Sequence, residues 1–124
     1  MNGAHALYPH VSYSSSLDRY FMFFSVNQWQ EPMNNRPAIL SGIYMAHSAD
    51  GLAWSEPIQL VADYSYPQPG KSISWEASLI WDDDGGGRRG WLVYGYSPRW
   101  GHAAIGGTPH YLVGRRISFE RAVP

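Results

Sequence analysis

The stretch RYFMFFSV, residues 19–26, decides the fold class, and WLVYGYS, residues 91–97, repeats its character in the second half of the chain. Both stretches have the length of a β-strand, and in both of them apolar residues stand at consecutive positions rather than at every second one. A strand that is apolar on both sides needs cover on both faces of its sheet. The two stretches therefore predict two doubly covered strands, each in a sheet that has neighbours on both faces.

The composition agrees with a fold built from strands. The chain has 124 residues, which allow one modest domain, and it contains 13 Gly and 9 Pro, which disfavour long helices. Aromatic residues make up 15% of the chain and charged residues also only 15%. Because aromatic side chains favour strands, we expect an all-β domain.

Further strands are predicted on either side of the two aromatic stretches. They cover residues 9–15, 42–48, 54–61, 75–81 and 110–119, with turns at Asp50-Gly51 and at 82–87. Residues 8–13 match 76–81, and 20–25 match 92–97, with about four extra residues in the second tight turn. This order predicts two blade-like repeats, 1–62 and 63–124, within one structural domain, each a sheet of three or four antiparallel strands.

Two architectures fit such sheets, a two-sheet sandwich and a β-propeller. Sandwich strands alternate because each sheet keeps one wet face, whereas the blades of a propeller are covered on both faces. The lack of alternation in 19–26 and 91–97 favours a partial β-propeller of about two antiparallel blades. Two blades alone leave both outer faces uncovered, so we expect a homo-oligomer, either a dimer with four blades or a trimer with six.

Charge and residue usage exclude several partners. A formal net charge of −1 gives no basic footprint for nucleic acid or for an anionic membrane surface, and no apolar window approaches the roughly 18 residues of a membrane span. Zero cysteines exclude disulfides, thiolate nucleophiles and Cys-ligated zinc. The N-terminus shows no signal peptide, so a cytoplasmic protein is expected, and a secreted protein with a trimmed N-terminus has the same pattern.

One hairpin sequence resembles a known group of enzymes. SADGLAWSEP, residues 48–57, resembles the S-x-D-G-x-x-W-S-x-P hairpin of five-bladed β-propeller glycoside hydrolases of family 43 and of clan relatives such as the invertase-like family 32, and is similar to the Asp-box of sialidase-type propellers. Residues 8–13, 19–25 and 111–119 resemble other blade strands of that group. The resemblance covers most of the chain from Tyr8 onward, although only about two blades of five. The hairpin also has a structural explanation, because Asp50 and Gly51 form the turn and Trp54 packs beneath it.

The resemblance implies candidate catalytic acids. Glycoside hydrolysis needs two carboxyl groups about 5 to 9.5 Å apart, and in the resembling families they come from the inner strands of different blades. Glu76 in Trp75-Glu76-Ala77 is similar to the W-E-C-P motif that supplies the general acid in the invertase-like family, although Cys-Pro is absent here. Asp63 is the candidate second acid. Asp82 lies about 20 Å further along the same strand, so residues 82–84 are expected to form a turn instead.

A sugar-binding surface is the second candidate feature. His10 stands where the first inner strand of the resembling families would place an acid, and is a candidate ligand-binding residue. An aromatic platform for a sugar ring is expected from Trp29, Tyr66, Trp75, Arg99 and Trp100. Alternatively, these side chains cap the edges of the sheets. The five histidines show no close metal-ligand spacing, so neither a metal nor another cofactor is expected.

The sequence leaves three functions open. The first is a carbohydrate-binding, glycosidase-like propeller module without complete catalytic machinery in one chain. The second is an active glycoside hydrolase with acids contributed across subunits, in which Glu76 is the proton donor. The third is a self-assembling structural or protein-interaction module without a small-molecule site.

Overall fold

The computed structural model describes residues 5–27, 41–63, 73–83, 86–98 and 110–120. Within these residues the chain is all-β, as the composition predicts, and none of them belongs to a helix that could cross a membrane. The strands are β1 (His5–Ser14), β2 (Arg19–Asn27), β3 (Ser41–Ser48), β4 (Ile58–Asp63), β5 (Ile73–Trp81), β6 (Arg89–Ser97) and β7 (Tyr111–Ser118).

The strands form two antiparallel sheets in which each strand pairs with the next one along the chain. The first sheet has the order β1-β2-β3-β4, and the second has the order β5-β6-β7. Each sheet is therefore a simple meander. The end of each sheet at which the β1–β2 and β5–β6 turns lie is called the hairpin end below.

The β3–β4 connection differs from the sequence prediction, which placed a strand over 54–61. The structure starts β4 at Ile58, because the preceding residues form a hydrogen-bonded turn instead. The Ser48 hydroxyl accepts the N–H of Gly51 at 2.9 Å, and the Asp50 carboxylate accepts the N–H of Ala53 at 2.9 Å. Gly51 has a φ of 77°, which glycine adopts without strain, so the predicted Asp50-Gly51 turn is confirmed.

The pairing register relates the two sheets residue by residue. Leu7 pairs with Ser25 as Trp75 pairs with Gly95, and a β-bulge follows in both first strands. Equivalent positions of β1 and β5 are thus 68 residues apart in the chain, whereas equivalent positions of β2 and β6 are 70 residues apart. The β5–β6 turn is therefore two residues longer than the β1–β2 turn, and not four residues longer as the sequence match implied. Ser25 consequently corresponds to Gly95, not to Ser97 as the sequence match of residues 20–25 with 92–97 implied.

The two sheets pack face to face around the main core. The buried side chains between them are Phe21, Phe23, Ile43 and Met45 from the first sheet, and Ala77, Leu79, Leu92 and Tyr94 from the second. The polar contacts between the sheets give the relative direction of the strands. The Trp81 indole N–H donates to the Ser12 hydroxyl at 2.6 Å, and the Glu76 N–H donates to the Ser25 hydroxyl at 3.0 Å. Because Ser25 pairs with Leu7, β1 and β5 run in the same direction.

The outer sides of the two sheets differ. The outer side of the first sheet has a second buried cluster made of Phe24, Val26, Tyr44 and Ala46. β2 is therefore buried on both faces around Phe24, as residues 19–26 predicted, whereas the outer side of the neighbouring β1 is exposed at Val11 and Tyr13. On the second sheet the outer side is exposed at Ile80, Trp91 and Leu112. Among the described residues nothing covers β6 on this outer side, and β6 alternates between buried and exposed positions over most of its length, unlike the double cover expected for residues 91–97.

Candidate functional site

Two strained residues lie at equivalent positions in the two sheets. Tyr8 and Glu76 both have a φ of 55°, the left-handed region that side-chain-bearing residues seldom adopt, and both are exposed. Each belongs to a β-bulge, which inserts an extra residue and re-aims the side chains beside it. Since β1 and β5 run in the same direction, both bulges lie at one end of the packed sheets, called the bulge end below.

Side chains around Glu76 fix the shape of the bulge end. The hydroxyl of Ser25 is fully buried and holds the Glu76 N–H, which ties the bulge of β5 to β2. The Trp75 indole lies on Gly95, where an added Cβ would be 2.8 Å from the ring. His110 contacts the Trp75 ring edge-on, with 5.2 Å between the ring centroids. Glycine at position 95 therefore allows the indole to lie flat on β6.

A buried polar atom also lies at the bulge end. Ser97 ends β6 two residues beyond Gly95, and its hydroxyl is buried with no hydrogen-bond partner among the residues that the structure describes. Most buried hydroxyls in proteins are paired with protein or with water. The Ser97 hydroxyl is thus a polar group at the bulge end that can still accept or donate a hydrogen bond.

Of the other residues singled out by the sequence, two lie in described strands and four lie outside the described residues. His10 is half-buried in β1 directly after the bulge and pairs with Phe23, and Asp63 is the last residue of β4 and pairs with Ser41 at the bulge end. At about 4.8 Å per strand, β4 lies roughly 10 Å across the sheet from β2, whose Ser25 holds Glu76. Outside the described residues lie Trp29, Tyr66, Arg99 and Trp100.

Carboxylates at the hairpin end have structural partners. Both Asp82 oxygens accept hydrogen bonds from the Arg116 guanidinium at 2.6 Å, and this contact lowers the pKa of Asp82. The pKa of Asp50 is also lowered, first by the N–H of Ala53, then by the N–H of Leu52 and by the Ser48 hydroxyl. These acids are held ionised in turns and ion pairs. Asp82 directly follows β5, six residues beyond Glu76 and at the opposite end of the packed sheets.

A cavity that was not predicted lies at the hairpin end. It has a volume of about 690 Å³ and is lined by Leu17, Asp18, Arg19, Phe21, Met45, His47, Ala49, Phe119 and Glu120. Arg19 Nη1 donates to His47 Nδ1 at 3.2 Å, because a guanidinium has no acceptor. The lining residues come from three separate segments, 17–21, 45–49 and 119–120, and no local sequence pattern joins them.

The described residues contain no group of three or more side chains that could hold a metal ion. No family model, curated protein or solved structure matches the chain. The functional argument therefore rests on the geometry of the two bulges and of the sheets that hold them.

Proposed function

We propose that the chain is a carbohydrate-binding module of the β-propeller type, and that its ligand binds at the bulge end. The observation that supports this most directly is the pair of equivalent bulges, which place Tyr8 and Glu76 at the same end of the packed sheets in a strained backbone conformation. Such conformations cost about 1–3 kcal/mol each and cluster at ligand sites, where the surrounding structure enforces them. An exposed aromatic ring offers a flat surface to the apolar face of a sugar, and a carboxylate accepts hydrogen bonds from its hydroxyls.

The propeller interpretation is supported by topology. Each sheet is a meander, and β1 and β5 run in the same direction across the interface, as the inner strands of successive blades do. The first strands also share a bulge at the same position. The remaining blades are contributed by further copies of the chain, in a dimer or a trimer.

Glycoside hydrolysis is the second candidate, and the position of Asp63 favours it. Asp63 ends β4 at the bulge end, the same end of the packed sheets at which Glu76 lies in β5. A glycosidase needs its second carboxyl group within about 5 to 9.5 Å of the first. In this alternative Glu76 is the proton donor, and the second acid comes from Asp63 or from a neighbouring subunit.

A glycan array followed by calorimetric titration tests the binding proposal. We expect the wild-type chain to bind at least one class of oligosaccharide, and Tyr8→Ala to weaken that binding about tenfold, equivalent to about 1.4 kcal/mol. Glu76→Gln tests the carboxylate at the bulge end. Its matched control is Glu56→Gln, because Glu56 is an exposed glutamate near the opposite, hairpin end. Failure to bind any glycan contradicts the proposal and favours a self-assembling module without a small-molecule site.

Turnover of aryl glycosides separates the two candidates. If the chain is a hydrolase, Glu76→Gln abolishes turnover and leaves glycan binding largely intact, because the amide keeps a hydrogen-bonding side chain of the same size. Glu56→Gln leaves both unchanged. Binding without turnover in the wild-type chain supports the binding module alone.

A further inference from the structure

The exposed outer side of the second sheet is apolar. Ile80 is 58% exposed, Trp91 44% and Leu112 80%, and the three lie on neighbouring strands β5, β6 and β7. We call this surface the Trp91 face. Contiguous exposed apolar surface of this kind marks an interaction site in soluble proteins.

The register identifies what the Trp91 face corresponds to in the first sheet. In the second sheet Trp91 pairs with Ile80 of β5 and with Arg116 of β7. In the first sheet Phe21 pairs in the same way with Ser12 of β1 and with His47 of β3. Trp91 therefore occupies the position of Phe21, which is buried against the second sheet. By the same register Val93 corresponds to Phe23 and Leu112 to Ile43, both of them fully buried core residues. The Trp91 face is thus the equivalent of a surface that the next sheet covers completely.

The surface that should cover it also exists in the chain. A cavity of about 250 Å³ on the outer side of the first sheet is lined by Ala6, Pro9, Met22 and Phe24, and we call it the Met22 pocket. The register matches these positions to Ser74, Ala77, Leu92 and Tyr94. Ala77, Leu92 and Tyr94 are core residues that pack against the first sheet. The Met22 pocket is consequently open where its equivalent in the second sheet is filled.

We infer that a second copy of this chain occupies the Trp91 face, with Trp91 of one copy packed on Tyr13 beside the Met22 pocket of the next, as Phe21 packs on Trp81 within the chain. This inference rests on the propeller architecture proposed above and specifies its interface. The contact repeats between copies the packing that the two sheets make within one chain. Val11 and Tyr13, both exposed beside the pocket, correspond to Leu79 and Trp81, which lie in the packed interface.

Trp91 is held in position for this contact. Its ring lies over Gly114, where an added Cβ would be 3.3 Å from it, and the Arg116 guanidinium stacks on it at 5.0 Å from the ring centroid. Arg116 is fixed in turn by its two hydrogen bonds to Asp82. A rigid, exposed tryptophan loses little conformational entropy on docking and is a frequent energetic centre of interfaces.

The contact joins two different surfaces and is therefore heterologous. A heterologous contact closes into a ring when the rotation between copies permits, and otherwise extends into a filament. One contact within the chain has no counterpart between copies, because Gly95 lacks the hydroxyl with which Ser25 holds the Glu76 N–H. The inferred interface is therefore more apolar than the one within the chain.

Sedimentation velocity at micromolar concentration tests the inference. We expect the wild-type chain to sediment as a multiple of its 14.0 kDa mass, and Trp91→Glu to weaken association at least about thirtyfold, as expected for a central interface residue. Leu52→Glu is the control, because Leu52 is 86% exposed in the β3–β4 turn and belongs neither to the Trp91 face nor to the lining of the Met22 pocket. A monomeric wild-type chain, or unchanged association of a folded Trp91→Glu variant, overturns the inference.

Cysteine cross-linking distinguishes this geometry from other modes of association. The Ser12–Trp81 contact within the chain corresponds to a contact between Ile80 of one copy and Tyr13 of the next. The chain has no cysteine, so a mixture of the Ile80→Cys and Tyr13→Cys variants contains only the introduced thiols. We expect mixed dimers on oxidation. Predominant pairing of Ile80→Cys with itself shows that two Trp91 faces meet, which overturns the inference.

Glycan binding separates this inference from the proposed function. An assembled chain that binds no glycan contradicts the proposed function and leaves the interface intact. A monomeric chain that binds glycan contradicts the interface and leaves the binding function intact.

Discussion

The strain at Glu76 gives a stability prediction whose sign is unusual. Replacing a strand residue with glycine normally destabilises a protein, because glycine loses more backbone entropy on folding. At Glu76 the φ of 55° reverses this expectation, since glycine adopts that conformation without a steric penalty. Glu76→Gly is therefore expected to be more stable than Glu76→Ala, although both variants lack the carboxylate.

The magnitude follows from two opposing terms. The left-handed conformation costs a residue with a Cβ about 1–2 kcal/mol, whereas the extra backbone entropy of glycine costs about 0.5–1 kcal/mol. Their difference leaves Glu76→Gly more stable than Glu76→Ala by about 0.5–1 kcal/mol. The hydrogen bond to the Ser25 hydroxyl does not change the comparison, because its donor is the backbone N–H.

Urea unfolding of the two variants measures this difference. Ala62→Gly is the control, because Ala62 is an exposed residue of β4 outside the positive-φ set, where glycine should lower the free energy of unfolding by about 0.5–1 kcal/mol. If glycine is no more stable than alanine at position 76, the bulge is not strained. The proposed ligand site at the bulge end then loses the backbone strain that supports it.

Three further substitutions test the packing and the turns. Phe23→Ala should lower the free energy of unfolding by about 3–5 kcal/mol in urea, because Phe23 is fully buried between the sheets, and a loss below about 1 kcal/mol contradicts that packing. Gly90→Ala should cost about 1–3 kcal/mol, because its Cβ would clash with the Ile80 carbonyl oxygen. Gly114→Ala should cost less, because its Cβ would meet only the Trp91 side chain, at 3.3 Å, and equal losses contradict the pairing. The lowered pKa of Asp50 means that its contribution to stability is present above the ordinary carboxyl pKa near 3.8 and is lost as pH falls through its lower folded value. The thermal midpoint of the wild-type chain should therefore fall more steeply below about pH 4 than that of Asp50→Asn, and parallel curves contradict this role.

The sequence predicted the strands well because apolar periodicity and turn residues are local signals. The aromatic run at 19–26 and the Asp50-Gly51 turn specify β2 and the β3–β4 connection without knowledge of the rest of the chain. The start of β4 was predicted four residues too early, because side-chain hydrogen bonds from Ser48 and Asp50 redirect the backbone there.

The candidate site was harder to predict, because bulges and register depend on pairing between strands. Tyr8 and Glu76 are residues of different types, so nothing in the sequence indicates that both adopt the left-handed backbone conformation. The match of Ser25 with Ser97 was wrong by two residues, an error that leaves every side chain on its correct face and so does not disturb the hydrophobic pattern. The cavity beside His47 is assembled from distant segments, which a local pattern cannot join.

Small-angle X-ray scattering of the wild-type chain in solution tests the central claim most directly, namely that the exposed side of the second sheet is covered by another copy. A compact particle of two chains should have a radius of gyration of about 18 Å, and a larger ring should exceed that value. A radius of about 14 Å, with the forward scattering of one 14.0 kDa chain, would contradict the account.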